Sequence, residues 1–139
     1  MKAPRQGEDV STLYVVRALL MTGQQLGDVE RSWLVKLLDA AASGEDVSAR
    51  FTANKKPSPE AERHFWIALD YREHVQAKRG PAARKVAERW GMKGHAAEET
   101  VERIADRQKA DVAKLLPIIG DIAAVIEANR IRLVGHKST

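Results

Sequence analysis

The stretch that decides the fold covers residues 81–104 and reads PAARKVAERWGMKGHAAEETVERI. Its opening proline suits a first helical position, because the N–H that proline lacks has no intrahelical partner there. Val86, Ala87 and Trp90 recur at the spacing of a buried helical stripe. Gly91 follows at once, and a glycine at that point can end a helix in the left-handed conformation. The stretch therefore predicts a helix, a sharp stop and a second helix.

A second buried stripe, formed by Ala97, Val101 and Ile104, marks the helix that follows the turn. Two helices joined by a short glycine-containing turn indicate a helix-turn-helix, whose second helix enters the major groove of DNA. The run KVAERWGM at 85–92 resembles the first half of that family, with a small residue four positions before a glycine that apolar residues flank. TVERI at 100–104 resembles the end of the recognition helix in bacterial and phage members.

The second half of the motif departs from the family pattern. Members of the family usually place an apolar residue six positions after the glycine, where this chain has Ala97. The more apolar Val101 comes ten positions after it. Either the turn is longer than usual and contains residues 93–96, or the recognition helix packs through alanine.

Composition limits the class of protein. The chain has 139 residues, the size of one domain, with 44% hydrophobic and 30% charged residues, as in a globular protein. It has 0 cysteines, which excludes disulfides and thiolate zinc sites. Because the N-terminus does not resemble a signal peptide and no apolar run could span a membrane, we expect a cytoplasmic protein without a membrane partner. The net charge of +4 permits nucleic acid as a partner.

Caps, apolar periodicity and helix breakers along the whole chain predict an all-α fold, a compact bundle of about five to seven helices containing the helix-turn-helix. Residues 1–57 are expected to form an N-terminal helical hairpin, in which Asp28 caps the second helix, followed by a basic linker. Residues 58–139 form the helix-turn-helix core and a C-terminal apolar helix, packed with the first part as a single domain. The expected helices are 10–22, 29–42, a short one within 46–52, 59–78, 81–90, one from about 95 to 116, and 122–131.

Several apolar features raise the question of a second subunit. The helix at 10–22 is apolar on nearly all sides and is either a central core helix or one shared with another copy. The long helix at 59–78 should bury Phe65 and Val75, while Trp66 and Tyr71 lie off that stripe and either cover other helices or form a subunit contact. The last helix is also very apolar, so we expect a homodimer.

The resemblance implies double-stranded DNA as partner and two groups of contacts. Side chains at the start of the recognition helix would reach base edges, and Glu99 among them could accept a hydrogen bond from a cytosine amino group. Cations around the first motif helix and in the basic linker would contact phosphate. The candidates for base edges are Lys93, His95, Glu99 and Arg103, and those for phosphate are Arg84, Lys85, Arg89, Lys55 and Lys56.

The chain lacks recognisable catalytic motifs. None of the four histidines pairs with another at the spacing of a helical metal site, and no phosphate-binding loop or nucleophile elbow occurs. We therefore expect no enzyme activity, no cofactor and no metal. The favoured function is a sequence-specific DNA-binding protein, either a small transcription regulator or a phage DNA-recognition subunit. The alternative is an all-α protein–protein interaction module, such as a phage or plasmid inhibitor or adaptor, that does not bind DNA; the acids Glu98 and Glu99 favour it.

Overall fold

The computed structural model describes residues 10–51 and 58–134. Over these ranges the chain is all-helical, which confirms the predicted fold class and the expected number of helices. Two short 3₁₀ turns, Val47–Arg50 and Leu116–Ile118, interrupt the connections. The α-helices are α1 (Val10–Met21), α2 (Asp28–Ala42), α3 (Pro59–Gln76), α4 (Ala82–Arg89), α5 (Ala97–Leu115) and α6 (Ile122–Val134).

Helix α3 is the centre of the structure and packs against α1, α4, α5 and α6. It begins as the sequence predicts, because the Ser58 side chain accepts the Ala61 N–H at 3.0 Å and Pro59 occupies the first turn. Trp66 is fully buried, so this side chain covers other helices of the same chain, one of the two roles predicted for it. Burying an aromatic side chain of this size contributes a large part of the stability of a small core.

A buried carboxylate on α3 joins three helices. Glu62 is only 4% exposed and accepts the indole N–H of Trp66 at 3.1 Å. It also pairs with Arg17 from α1 and Arg132 from α6. Charge-assisted hydrogen bonds of this kind offset the loss of hydration that would otherwise make a buried carboxylate very unfavourable. The cluster therefore fixes α1 and α6 against the same end of α3.

The apolar first and last helices both contribute to the core. Val15 of α1 and Val125 of α6 are fully buried, and the two helices pack against each other and against α3. The interpretation of α1 as a core helix is thus confirmed, and the apolar content of α6 is needed to close the core of one copy. The homodimer itself remains a prediction. In the described ranges, no helix has both the length and the apolar character that crossing a membrane requires.

Helix α2 lies at the edge of the structure. Leu37 is its one buried residue, and the helix packs against the 3₁₀ turn Val47–Arg50. The packing of α1 and α2 as a hairpin stays a prediction. The loop between α1 and α2 is joined to the start of α6, because the Gln24 side chain accepts the Asp121 N–H at 2.6 Å. Asp28 is also not the cap; Gly27 precedes the helix and Asp28 is its first residue.

Candidate nucleic-acid interface

The end of α4 has the geometry that the sequence predicts. Gly91 has a φ of +70°, in the left-handed region. The Met92 N–H donates to the Ala87 carbonyl at 2.9 Å and the Gly91 N–H donates to the Glu88 carbonyl at 3.2 Å, which is the Schellman arrangement. The start of α4 differs by one residue, since Pro81 is the N-cap and not the first helical residue.

The two alternatives for the second half of the motif, a longer turn and packing through alanine, occur together in the structure. α5 begins at Ala97, two residues beyond His95, and residues 93–96 belong to the turn. Gly94, with a φ of +98°, provides a second left-handed position inside this turn. Ala97 is nevertheless buried with Val101, so α5 also packs through alanine at its first residue. The turn between the two helices is therefore long, and its residues 93–96 are exposed before α5 begins.

A second buried carboxylate on α3 holds α4 in place. Asp70 is 2% exposed, and its Oδ2 accepts both the Trp90 indole N–H and the Arg89 Nε–H at 2.9 Å. Its Oδ1 lies 3.2 Å from Nδ1 of the buried His74. Because Trp90 is the C-cap of α4, this cluster fixes the position of the turn relative to the central helix.

Arg89 is therefore bound within the protein. Besides Asp70, its guanidinium donates to Glu127 of α6 at 3.3 Å. A hydrogen bond from Arg130, together with the nearby Arg89 charge, holds the pKa of Glu127 below its ordinary value. A phosphate contact by Arg89 stays a prediction. The side chain already has two carboxylate partners, so it is less available to phosphate than the exposed cations nearby.

The remaining cations of this region are exposed. Arg84 pairs with Glu98 across α4 and α5 at 3.4 Å, and both side chains are more than half exposed, so the pair adds little stability and can open. Lys85 and Lys93 have no carboxylate within ion-pair distance in the described part of the chain. The same holds for Lys78 and Arg79, two exposed cations in the segment that joins α3 to α4.

The start of α5 has the opposite charge. His95 is exposed in the turn, and Glu99 and Arg103 are exposed one turn apart, so these three predicted base contacts are accessible. Glu98 and Glu102 are also exposed on the same part of the helix. Carboxylates in a first turn favour helix formation through the helix dipole, which gives them a structural role. Lys55 and Lys56 lie outside the described residues.

This surface combines exposed cations with exposed acids. Exposed cations run from the end of α3 through α4 to the turn, and acids begin with α5.

Across residues 10–51 and 58–134, no group of three His, Asp or Glu side chains could hold a metal ion. Comparisons with protein-family models, with curated proteins and with solved structures found no match to this chain.

Proposed function

We propose that this protein binds double-stranded DNA through the surface formed by the end of α3, α4 and the turn before α5. In the cytoplasm it would act as a small transcription regulator or as a phage DNA-recognition subunit. One observation carries the proposal: exposed cations lie in the connection after α3, on α4 and in the turn before the predicted recognition helix, and in the described residues only one of them has a carboxylate partner. They are Lys78, Arg79, Arg84, Lys85 and Lys93.

The cations would supply affinity and orientation. Each Lys or Arg that contacts a phosphate releases condensed counterions, so binding weakens as salt is added. Such contacts set the position of the protein on the duplex and carry no sequence information. The Asp70 cluster and the Schellman turn hold the end of α4 against α3, so the backbone at Arg84 and Lys85 would be well positioned for phosphate contacts.

Base readout would come from the turn and the exposed side of α5. Lys93 and His95 precede the helix and are exposed, as are Glu99 and Arg103 further along. The N-terminal end of a recognition helix is the part that reaches base edges in the major groove. Because Glu98 and Glu102 would repel phosphates, we propose that the turn leads into the groove, that Arg84 neutralises Glu98, and that Glu102 faces away from the strands.

The first prediction concerns the salt dependence of binding. Replacing Arg79→Ala together with Lys85→Ala should weaken binding to every duplex and make the slope of log K against log salt less steep by about two units, since each phosphate contact contributes about one. Fluorescence anisotropy of a labelled mixed-sequence duplex measures this slope.

The matched control removes two cations from the far part of α5, Arg107→Ala with Lys114→Ala, and should leave the slope unchanged. Circular dichroism shows whether each variant is folded. An equal slope in the wild-type protein and the Arg79–Lys85 variant would contradict the assignment of phosphate contacts to this surface.

The second candidate function is an all-α interaction module that does not bind DNA. The acids at the start of α5 favour it, as do large apolar side chains left exposed on α2, Val35 and Leu38. The same titration separates the two functions, because an interaction module would not bind the duplex even at low salt.

A further inference from the structure

A cavity of about 360 Å³ opens where the end of α3 meets the starts of α4 and α5. Its size is at the lower end of the range for sites that bind small molecules. Tyr71 and Val75 give one part of it an apolar lining. The sequence predicts Val75 in the buried stripe of α3, and this prediction is wrong: Val75 is 47% exposed, because it lines the cavity.

A buried histidine turns one ring nitrogen toward this cavity. His74 lines the cavity but is only 6% exposed. Its Nδ1 lies 2.9 Å from the Asp70 carbonyl oxygen and 3.2 Å from Asp70 Oδ1. Both of these oxygens are acceptors, so Nδ1 carries the proton and the neutral ring has its acceptor lone pair on Nε2. In the described residues Nε2 has no hydrogen-bond partner, and it is therefore available to a donor on a ligand.

The start of α4 supplies hydrogen-bond donors to the same cavity. Pro81 is its N-cap and has no side chain that could accept from the first turn, and the first helical bond runs from the Lys85 N–H to the Pro81 carbonyl at 3.1 Å. The N–H groups of Ala82, Ala83 and Arg84 therefore have no acceptor in the part of the chain that the structure describes. Ala82 and Ala83 line the cavity. Free N–H groups at the start of a helix favour an anionic group.

Two exposed side chains of opposite charge also line the cavity. Lys78 belongs to the connection before α4 and has a φ of +51°, at a helix end where glycine is the usual residue. Glu102 approaches from α5. Neither side chain has an ion-pair partner within the described ranges, whereas Glu98, the other acid of the lining, is paired with Arg84. The cavity therefore offers donors from the α3–α4 connection and α4, and acceptors from α3 and α5.

We propose that this cavity binds the zwitterion of a free α-amino acid with an apolar side chain. The ligand carboxylate accepts from the free N–H groups of α4 and pairs with Lys78. The ligand ammonium group donates to Nε2 of His74 and pairs with Glu102, and the ligand side chain packs on the apolar lining. A ligand with a single charge would leave one of these two sets of groups without a partner. The site shares Lys78 with the proposed DNA surface but does not depend on DNA binding.

Heteronuclear NMR tests the proposal, with L-leucine as the probe. Leucine should shift the amide signals of Ala82 and Ala83 in a saturable manner, and it should also shift the Nε2 signal of His74. At mildly alkaline pH the free protein should show Nε2 as the unprotonated ring nitrogen. Isoamylamine and isocaproate are matched control ligands, because they keep the leucine side chain but lack its carboxylate or its ammonium group. Each should bind at least about tenfold more weakly than leucine, since each leaves charged groups of the site unpaired.

Two substitutions test the two ends of the ligand separately. Lys78→Gly should weaken leucine binding by about tenfold or more, yet the variant should be at least as stable as the wild type, because glycine adopts a left-handed conformation without strain. Glu102→Gln should weaken leucine binding to a similar extent. Asp106→Asn is the matched control, since Asp106 is exposed on the same helix and lies outside the lining, and it should bind leucine as the wild type does.

Circular dichroism shows whether each of these variants is folded. The absence of a saturable shift with leucine, or equal binding of either singly charged analogue, would overturn the proposal. So would a proton on Nε2 of the neutral His74 ring, or an unchanged affinity for leucine in the folded Lys78→Gly or Glu102→Gln variant.

Discussion

Helices α3 and α2 reverse the usual placement of polar and apolar residues in different ways. α3 buries the charged side chains Glu62 and Asp70, whereas α2 leaves Val35 and Leu38 exposed. The charges on α3 have partners within the chain, whereas Val35 and Leu38 are left uncovered by the part of the chain that the structure describes. The comparison shows that burial follows the availability of partners, and that residue type alone does not decide it.

The two buried carboxylates on α3 are stabilised by the same kinds of partner. Each accepts a tryptophan indole N–H and each pairs with arginine from another helix. Glu62 joins α1 and α6 to α3, and Asp70 joins α4. Removing one partner of such a buried group is much more harmful than removing a surface charge, because the remaining partners keep their desolvation penalty.

The largest loss of stability is expected for Asp70→Ala, which removes one of the two buried carboxylates. It leaves the Arg89 guanidinium and the Trp90 indole N–H without their buried acceptor, so the free energy of unfolding should fall by about 3–5 kcal/mol. Urea denaturation measures this loss. Asp39→Ala on the exposed side of α2 is the control and should change stability by less than about 0.5 kcal/mol. Similar losses for the two variants would mean that Asp70 is not a structural centre.

A smaller effect is expected from removing one hydrogen bond to each carboxylate. Trp90→Phe keeps an aromatic ring but loses the indole N–H to Asp70, and the loss should be about 1.5–3 kcal/mol, the range for a hydrogen bond to a charged group. Trp66→Phe is the corresponding variant at Glu62, and its free energy of unfolding should fall by a similar amount. A loss at only one of the two positions, again measured by urea denaturation, would show that the two clusters are not equivalent.

Local signals in the sequence predict much of the fold. The Ser58 cap with Pro59, the stop at Gly91 and the buried stripe of Val101 and Ile104 depend on near neighbours, and the structure agrees with all of them. The burial of Asp70 depends on partners that come 19 and 20 residues later, so no local pattern indicates it.

The candidate site was less predictable for the same reason. Lys85 and Lys93 are exposed as a DNA contact requires, but Arg89, from the same charged run, turns inward to acids on α3 and α6. A charged run does not show which of its members has a distant partner. The exposure of Val75 was missed because helical periodicity does not show where a neighbouring helix leaves a groove.

The smallest loss of stability is expected at the partly exposed ion pair of Arg130 and Glu127, in contrast to the buried carboxylates of α3. Arg130 lowers the pKa of Glu127, so this pair stabilises the fold above the unfolded-state pKa of a glutamate, and the stabilisation is lost as pH falls through the lower folded-state pKa. Because the Glu127 side chain is 42% exposed, Glu127→Gln should lower the free energy of unfolding by no more than about 1 kcal/mol at pH 7. Urea denaturation at neutral and at acid pH should show the difference disappearing in acid; a difference that persists in acid would assign the loss to packing.

The measurement that tests the central claim most directly is fluorescence anisotropy of a labelled mixed-sequence duplex, titrated with the wild-type protein at low and at moderate salt. We predict binding at low salt that weakens by orders of magnitude as salt is added, because the cations of α4 and of the connection before it would contact phosphate. A folded protein that does not bind the duplex at low salt, or whose binding does not respond to salt, would contradict the proposed function.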